Sequence, residues 1–288
     1  MIPAAFEYAR AHTVQEAISL LQQYGGRAKL LAGGHSLLPL MKLRLAQPEA
    51  LVDLGFVDEL RGIRDEGTSL VLGALTTHDE VATSPLVREK VPLLAECAAQ
   101  IGDVQVRNRG TIGGNLAHAD PAADYPAAVL ALEAQMECQG PAGTRTVPAS
   151  QWFVDLLTTA LGPDEVLCRV RVPAQAPGQG WSYTKLPHPA SGYSLLGVAC
   201  LVTVDGGVCR DARVAVTGVG PKAVRLPKVE QALVGRRLDE ATVAEAARLA
   251  ADGLEATDDL YASAEYKRHL AVVYTKRGLL RAAERAGT

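Results

Sequence analysis

The chain has 288 residues, of which 48% are hydrophobic and 21% charged, and a net charge of −3. This composition excludes a disordered chain, needs no disulfide or metal to fold, and offers no electrostatic footprint for nucleic acid or an anionic membrane. No apolar run approaches the roughly 18 residues of a membrane span. The start, Met1-Ile2-Pro3-Ala4-Ala5-Phe6-Glu7, has no basic segment followed by an apolar one, so no secretory signal is expected.

In chain order, Thr13-Val14-Gln15-Glu16 is a capping box opening a helix with Val14, Ala17, Ile18 and Leu21 inward. Gly25-Gly26 ends it. Residues 29–32 read as a short buried strand running into Gly33-Gly34-His35-Ser36, then a helical turn over 37–44. Strands follow at 50–54 and 70–74. Thr77-His78-Asp79-Glu80 is a second capping box, before helical sequence to about residue 101. Arg109-Gly110-Thr111-Ile112-Gly113-Gly114-Asn115 reads as a second glycine loop, and 122–133 as a helix. Residues 135–139 and 145–148 pair across Gly140-Pro141-Ala142-Gly143, and 166–172 alternates as a half-exposed strand. The prolines and glycines of 173–180 form a linker. Beyond it lie strands at 181–186, 194–204 and 213–219, a turn at Asp205-Gly206-Gly207, and helices at about 240–254 and 264–285. The order divides the chain into a larger part, 1–176, and a smaller β-then-α part, 177–288.

Five cysteines stand at 97, 138, 168, 200 and 209 with no CxxC, and six histidines include no HxxxH pair. Zinc and iron–sulfur ligand sets are therefore absent, and reduced buried thiols of a cytoplasmic protein are expected. The two glycine loops carry more chemistry. A strand followed by a glycine pair lets backbone N–H groups approach an anion. Two such loops, ending in Ser36 and Asn115, have the parts to surround a pyrophosphate without a lysine. Two tight turns are the competing interpretation, and spacing alone leaves the two about equal. No P-loop exists. Gly218-Val219-Gly220-Pro221-Lys222-Ala223 fits GxGxxA, but Pro227 interrupts the helix that should follow and no further strand completes a βαβ unit.

Ala32-Gly33-Gly34-His35-Ser36 with Thr111-Ile112-Gly113-Gly114-Asn115 resembles the paired FAD signature of the medium subunits of aerobic carbon monoxide dehydrogenase and its xanthine dehydrogenase relatives. Pro3 with Phe6-Glu7-Tyr8, Val52-Asp53-Leu54, Gln105-Val106-Arg107-Asn108-Arg109-Gly110 and His118-Ala119-Asp120-Pro121-Ala122-Ala123-Asp124 extend the resemblance over essentially the whole chain. It implies an α+β fold. A two-part FAD-binding domain of the vanillyl-alcohol-oxidase/PCMH type, split near residue 55, is followed by a C-terminal domain with an antiparallel sheet and helices. It also implies non-covalent FAD and an electron-transfer role within a molybdenum hydroxylase. The molybdenum cofactor would sit on a large subunit and the 2Fe–2S clusters on a small one, in a dimer of heterotrimers with at most peripheral membrane association. The chain alone would be inactive toward substrate. A self-sufficient FAD oxidoreductase of the same fold is the alternative, and a non-catalytic assembly module is disfavoured by intact glycines in both loops.

By the same resemblance, Lys29, Leu30 and Leu31 lead into the first FAD loop and Leu37 follows it. Residues 32–36 and 111–115 hold the pyrophosphate and ribityl chain. Asp124 matches an acid near the adenosine end; locally a helix N-cap before Tyr125-Pro126 explains it equally well. Ile101 and Leu161 match apolar flavin contacts, and both would otherwise be plain core. Lys185 matches a lysine near the flavin ring, against a solvated strand end. Tyr193, in Ser191-Gly192-Tyr193-Ser194, has the shape to cover one face of the ring, or simply to anchor a domain edge. Leu186-Pro187-His188-Pro189-Ala190-Ser191-Gly192 departs from the basic stretch with Gly-Asp expected of the carbon monoxide enzymes. That departure leans toward an N-heterocycle or aldehyde as holoenzyme substrate.

Overall fold

The structure is a computed structural model, and it describes residues 1–287. Near the N-terminus, strands Glu7–Arg10, Ala28–Leu31 and Ala50–Asp53 form a parallel sheet with Ala50–Asp53 in the middle. Parallel neighbours need crossovers, and helix Val14–Tyr24 supplies one. Thr13 caps it by accepting from the Glu16 N–H, while Glu16 reaches back to the His12 N–H rather than to Thr13. Val14, Ala17, Ile18 and Leu21 are its buried face, as the periodicity predicts.

A five-stranded antiparallel sheet follows, in the order Ile63–Asp65, Ser69–Gly73, Val166–Pro173, Gln135–Gly140, Gly143–Pro148. The helix expected up to residue 101 is three helices, His78–Thr83, Pro85–Lys90 and Pro92–Ala99. Pro85 and Pro92 each open a new helix, where a missing N–H costs nothing. The second glycine loop is also corrected. Thr111 caps helix Ile112–His118, so Gly113, Gly114 and Asn115 lie in its first turn.

The smaller part is an antiparallel sheet of Gln179–Pro187, Ser194–Asp205, Val208–Thr217 and Val224–Arg225, covered by the long helix Ala264–Ala286. Leu270, Ala271, Leu279 and Ala282 form the buried stripe of that helix. The GxGxxA segment joins two antiparallel strands, so no βαβ unit forms there. Helix Tyr125–Ala131 is buried at all seven positions because it is wedged between this sheet and the larger part. The seam is stitched by hydrogen bonds: the Ser194 N–H donates to the Ala122 carbonyl at 3.0 Å, and the Thr217 hydroxyl to the Ala123 carbonyl at 2.8 Å. The chain is thus mixed α+β. All five cysteines are buried and free, and no described helix is long and apolar enough to cross a membrane.

Candidate functional site

The carboxyl end of strand Ala28–Leu31 opens onto a cleft of about 660 Å³. That is the size of a small-ligand pocket, which runs from about 300 to 1,000 Å³. The strand delivers residues 33–37 to its wall. None of their five backbone N–H groups donates to another described residue. Two glycine properties make this possible. Gly34 has φ 76°, the left-handed region. A Cβ on Gly33 would land on the Arg109 carbonyl oxygen, so only glycine lets the two segments meet backbone to backbone. Buried or cleft-facing N–H groups are rarely left unpaired. A run of them on a concave wall is a built anion cradle.

The second segment contributes differently from the expectation. Its N–H groups are already used: Ile112 donates to the Thr76 carbonyl at 2.9 Å, Gly113 to Ala74 at 2.9 Å, Gly114 to the Thr111 hydroxyl at 3.1 Å and Asn115 to the Thr111 carbonyl at 3.0 Å. The segment therefore offers a glycine surface for close approach. It also offers the Asn115 Oδ1, which is buried without a partner beside the cleft. An unpaired acceptor and five unpaired donors around one cleft fit a dinucleotide, whose hydroxyls donate and whose phosphates accept.

Most of the expected residues do line this cleft: Lys29, Leu30, Ala32, Gly33, Gly34, His35, Ser36, Leu37, Ile101, Thr111, Gly113, Gly114, Asn115, Asp124, Leu161 and Tyr193. Leu31, Ile112 and Lys185 do not. Ile112 is fully buried in the hydrophobic core. The Lys185 ammonium is neither a solvated strand end nor aimed into the cleft. It donates to the Gln100 carbonyl at 2.9 Å and pairs with Asp124 at 2.8 Å, with its side chain 2% exposed. Asp124 Oδ1 accepts from the Tyr183 hydroxyl at 2.6 Å and the Ser194 hydroxyl at 2.7 Å. It makes no capping bond to its own helix. Burial pushes this carboxyl upward, while Lys185 and the two hydroxyls pull against it. Asp124 and Lys185 thus form a buried polar hub behind the cleft wall, joining the two parts of the chain. Asp124 still lines the cleft, whereas Lys185 does not.

Tyr193 comes from the smaller part, with Ser191 and Gly192 on the cleft wall. Its phenol faces the Ser36 side chain across the cleft. His35 is only loosely held, its Nε2 lying 3.4 Å from the Gln105 carbonyl. Residue patterns missed His78. It lines the cleft from the first turn of its helix, 4% exposed, with its ring edge-on to Tyr125 at 5.3 Å. Burial, with the charges of His35 and Arg107, holds its pKa down to about 4, so the ring is neutral at pH 7. Its Nδ1 has no partner. The only sequence signal was its place in a capping box.

The family described as FAD binding domain in molybdopterin dehydrogenase matches residues 4–175, and the CO dehydrogenase flavoprotein C-terminal domain matches residues 181–282. The carbon monoxide dehydrogenase medium chain of Hydrogenophaga pseudoflava is 46% identical over 97% of both chains. The 6-hydroxypseudooxynicotine dehydrogenase complex subunit alpha of Paenarthrobacter nicotinovorans is 37% identical over 99% of this chain and 97% of its own. The fold superposes on carbon monoxide dehydrogenase from Hydrogenophaga pseudoflava lacking the Mo-pyranopterin moiety, with a TM-score of 0.97, 47% identity and 99% of each chain covered. The cleft, the free N–H run and these full-length matches agree, and the chain belongs to the family of FAD-binding medium subunits of molybdenum hydroxylases.

Proposed function

We propose that this cleft is the FAD site, that residues 33–37 hold the pyrophosphate through their free N–H groups, and that Asn115 Oδ1 accepts from a hydroxyl of the same molecule. The observation that carries this is the run of five unpaired donors on the wall of a cleft of about 660 Å³. Ile101, Leu161 and Tyr193 supply apolar and aromatic contact. Bound there, FAD supplies the chemistry of accepting electrons singly and releasing them singly or in pairs. The protein's part is to fix the phosphates without a fixed cation, to exclude water from the ring with Tyr193, and to keep the hub of Asp124 and Lys185 rigid behind it. Residues 1–176 carry the cradle and 177–288 the cover.

The electrons come from iron–sulfur clusters on a small partner subunit, and a large subunit holds the molybdenum and the substrate, in a dimer of heterotrimers. Alone, the chain oxidises no substrate. Five buried free thiols accord with a cytoplasmic location. The segment 186–192 ends on the cofactor cleft of this chain. Its departure from the basic pattern therefore bears on the flavin cover rather than on the substrate.

Acid precipitation of the purified enzyme tests the cofactor assignment. One FAD per copy of this chain is expected in the supernatant. A yellow pellet would make His35 a covalent attachment point, and flavin other than FAD would overturn the dinucleotide assignment.

A further inference from the structure

The loop that presents Tyr193 is built around one imidazole. Six residues, 188–193, connect strands Gln179–Pro187 and Ser194–Asp205. The ends are closed by the His188 N–H donating to the Tyr193 carbonyl at 2.7 Å and the Gly192 N–H donating to the His188 carbonyl at 2.9 Å. Inside that ring, three groups converge on His188 Nδ1. The Ala190 N–H lies at 3.3 Å, the Ser191 N–H at 3.2 Å and the Ser191 hydroxyl at 3.1 Å. Backbone N–H groups can only donate, so Nδ1 must carry a lone pair and the proton sits on Nε2. The Ser191 hydroxyl oxygen also accepts from the Tyr193 N–H at 3.4 Å, and so passes the constraint on to Tyr193 itself.

The imidazole is also packed from outside the loop. His188 is 8% exposed and packs edge-on against Tyr261, ring centroids 3.8 Å apart. Tyr261 is held in turn: its N–H and that of Ala262 both donate to Asp259 Oδ1, and Asp259 pairs with the buried Lys267 of the long helix at 2.7 Å. A chain of fixed contacts therefore runs from helix Ala264–Ala286 through Tyr261 and His188 to the loop whose end lines the cofactor cleft.

We propose that His188 is a positioning residue for the flavin cover: its Nδ1 shapes loop 188–193 and so sets where Tyr193 lies over the cleft. The inference rests on the assignment of Tyr193 to the FAD site. It concerns a residue in the stretch where this chain departs from the basic pattern. Loss of Nδ1 leaves two N–H groups and a hydroxyl without their acceptor, and the loop no longer has one preferred form.

The test compares four variants in the assembled holoenzyme: Tyr193→Ala, His188→Ala, His188→Asn, and His188→Ala with Tyr193→Ala. The readouts are the visible absorption envelope of the bound flavin and its midpoint potential. Tyr193→Ala should shift both. His188→Ala should shift both in the same direction, and the double variant should match Tyr193→Ala alone. His188→Asn, whose Oδ1 replaces Nδ1 as acceptor, should restore the native values, which a generic packing role for the ring does not predict. Should His188→Ala fail to assemble, Ser191→Ala removes the relay at lower cost and should give a smaller shift of the same sign. Native spectra and potential in His188→Ala or, failing assembly, in Ser191→Ala, beside a shifted Tyr193→Ala, would overturn the role of His188 and leave Tyr193 in the site. Native values in Tyr193→Ala would remove the cover itself.

Discussion

Gly33 sits where two backbones meet, and it is the single residue on which the cradle most depends. Any side chain there must displace the Arg109 carbonyl or push residues 33–37 out of line. Overpacking of this kind costs about 1–3 kcal/mol. Gly33→Ala should therefore yield assembled enzyme with strongly reduced flavin, measured as FAD released per copy. Full flavin content would remove the first segment from the site. His78 gives a second residue-scale prediction. Its folded pKa of about 4 lies below the value of 6.5 expected when unfolded. Between these values the unfolded chain binds the extra proton, so stability is complete above about pH 6.5 and is lost as pH falls toward 4. The full loss is about 3 kcal/mol. His78→Gln should flatten this slope, read as a smaller drop in thermal midpoint between pH 7.5 and 5. An unchanged slope would mean that another group carries the acid sensitivity.

At the scale of elements, strand Gln179–Pro187 and helix Tyr125–Ala131 are tied through Lys185 and Asp124. Removing one partner of a buried pair leaves an uncompensated charge, at about 3–5 kcal/mol. Lys185→Met should destabilise the protein by that order, and adding Asp124→Asn should recover part of it, both read from denaturant midpoints. Equal loss in the single and double variants would show that the two residues are not coupled. The sequence shows their types but not their meeting, because 61 residues separate them and only the folded sheet brings them together. Local signals fared better. Thr13, Thr77 and the glycine after Tyr24 mark helix ends correctly, since capping is decided within one turn. Thr111 and the glycines after it read as loop, although Thr111 caps a helix that those glycines open. Strand Glu7–Arg10 went unread because it is short, polar and mostly exposed, and its pairing with Ala50–Asp53 is long-range. The first glycine segment keeps its N–H groups free, as a donor cradle requires. The commitment of the second segment's N–H groups to Thr76, Ala74 and Thr111 is tertiary and left no mark in spacing.

As a whole, the molecule places a run of free N–H groups on one part and Tyr193 on the other, around a single cleft. That arrangement suits a flavin subunit that relays electrons. The most direct measurement is reconstitution. The flavin-loaded chain is assayed for substrate-dependent acceptor reduction alone, and then with the iron–sulfur and molybdenum subunits added. The account predicts no substrate oxidation from the chain alone and its appearance, with reduction of the bound flavin, only when both partners are present. Full substrate oxidation by the isolated chain, free of molybdenum and iron, would contradict it.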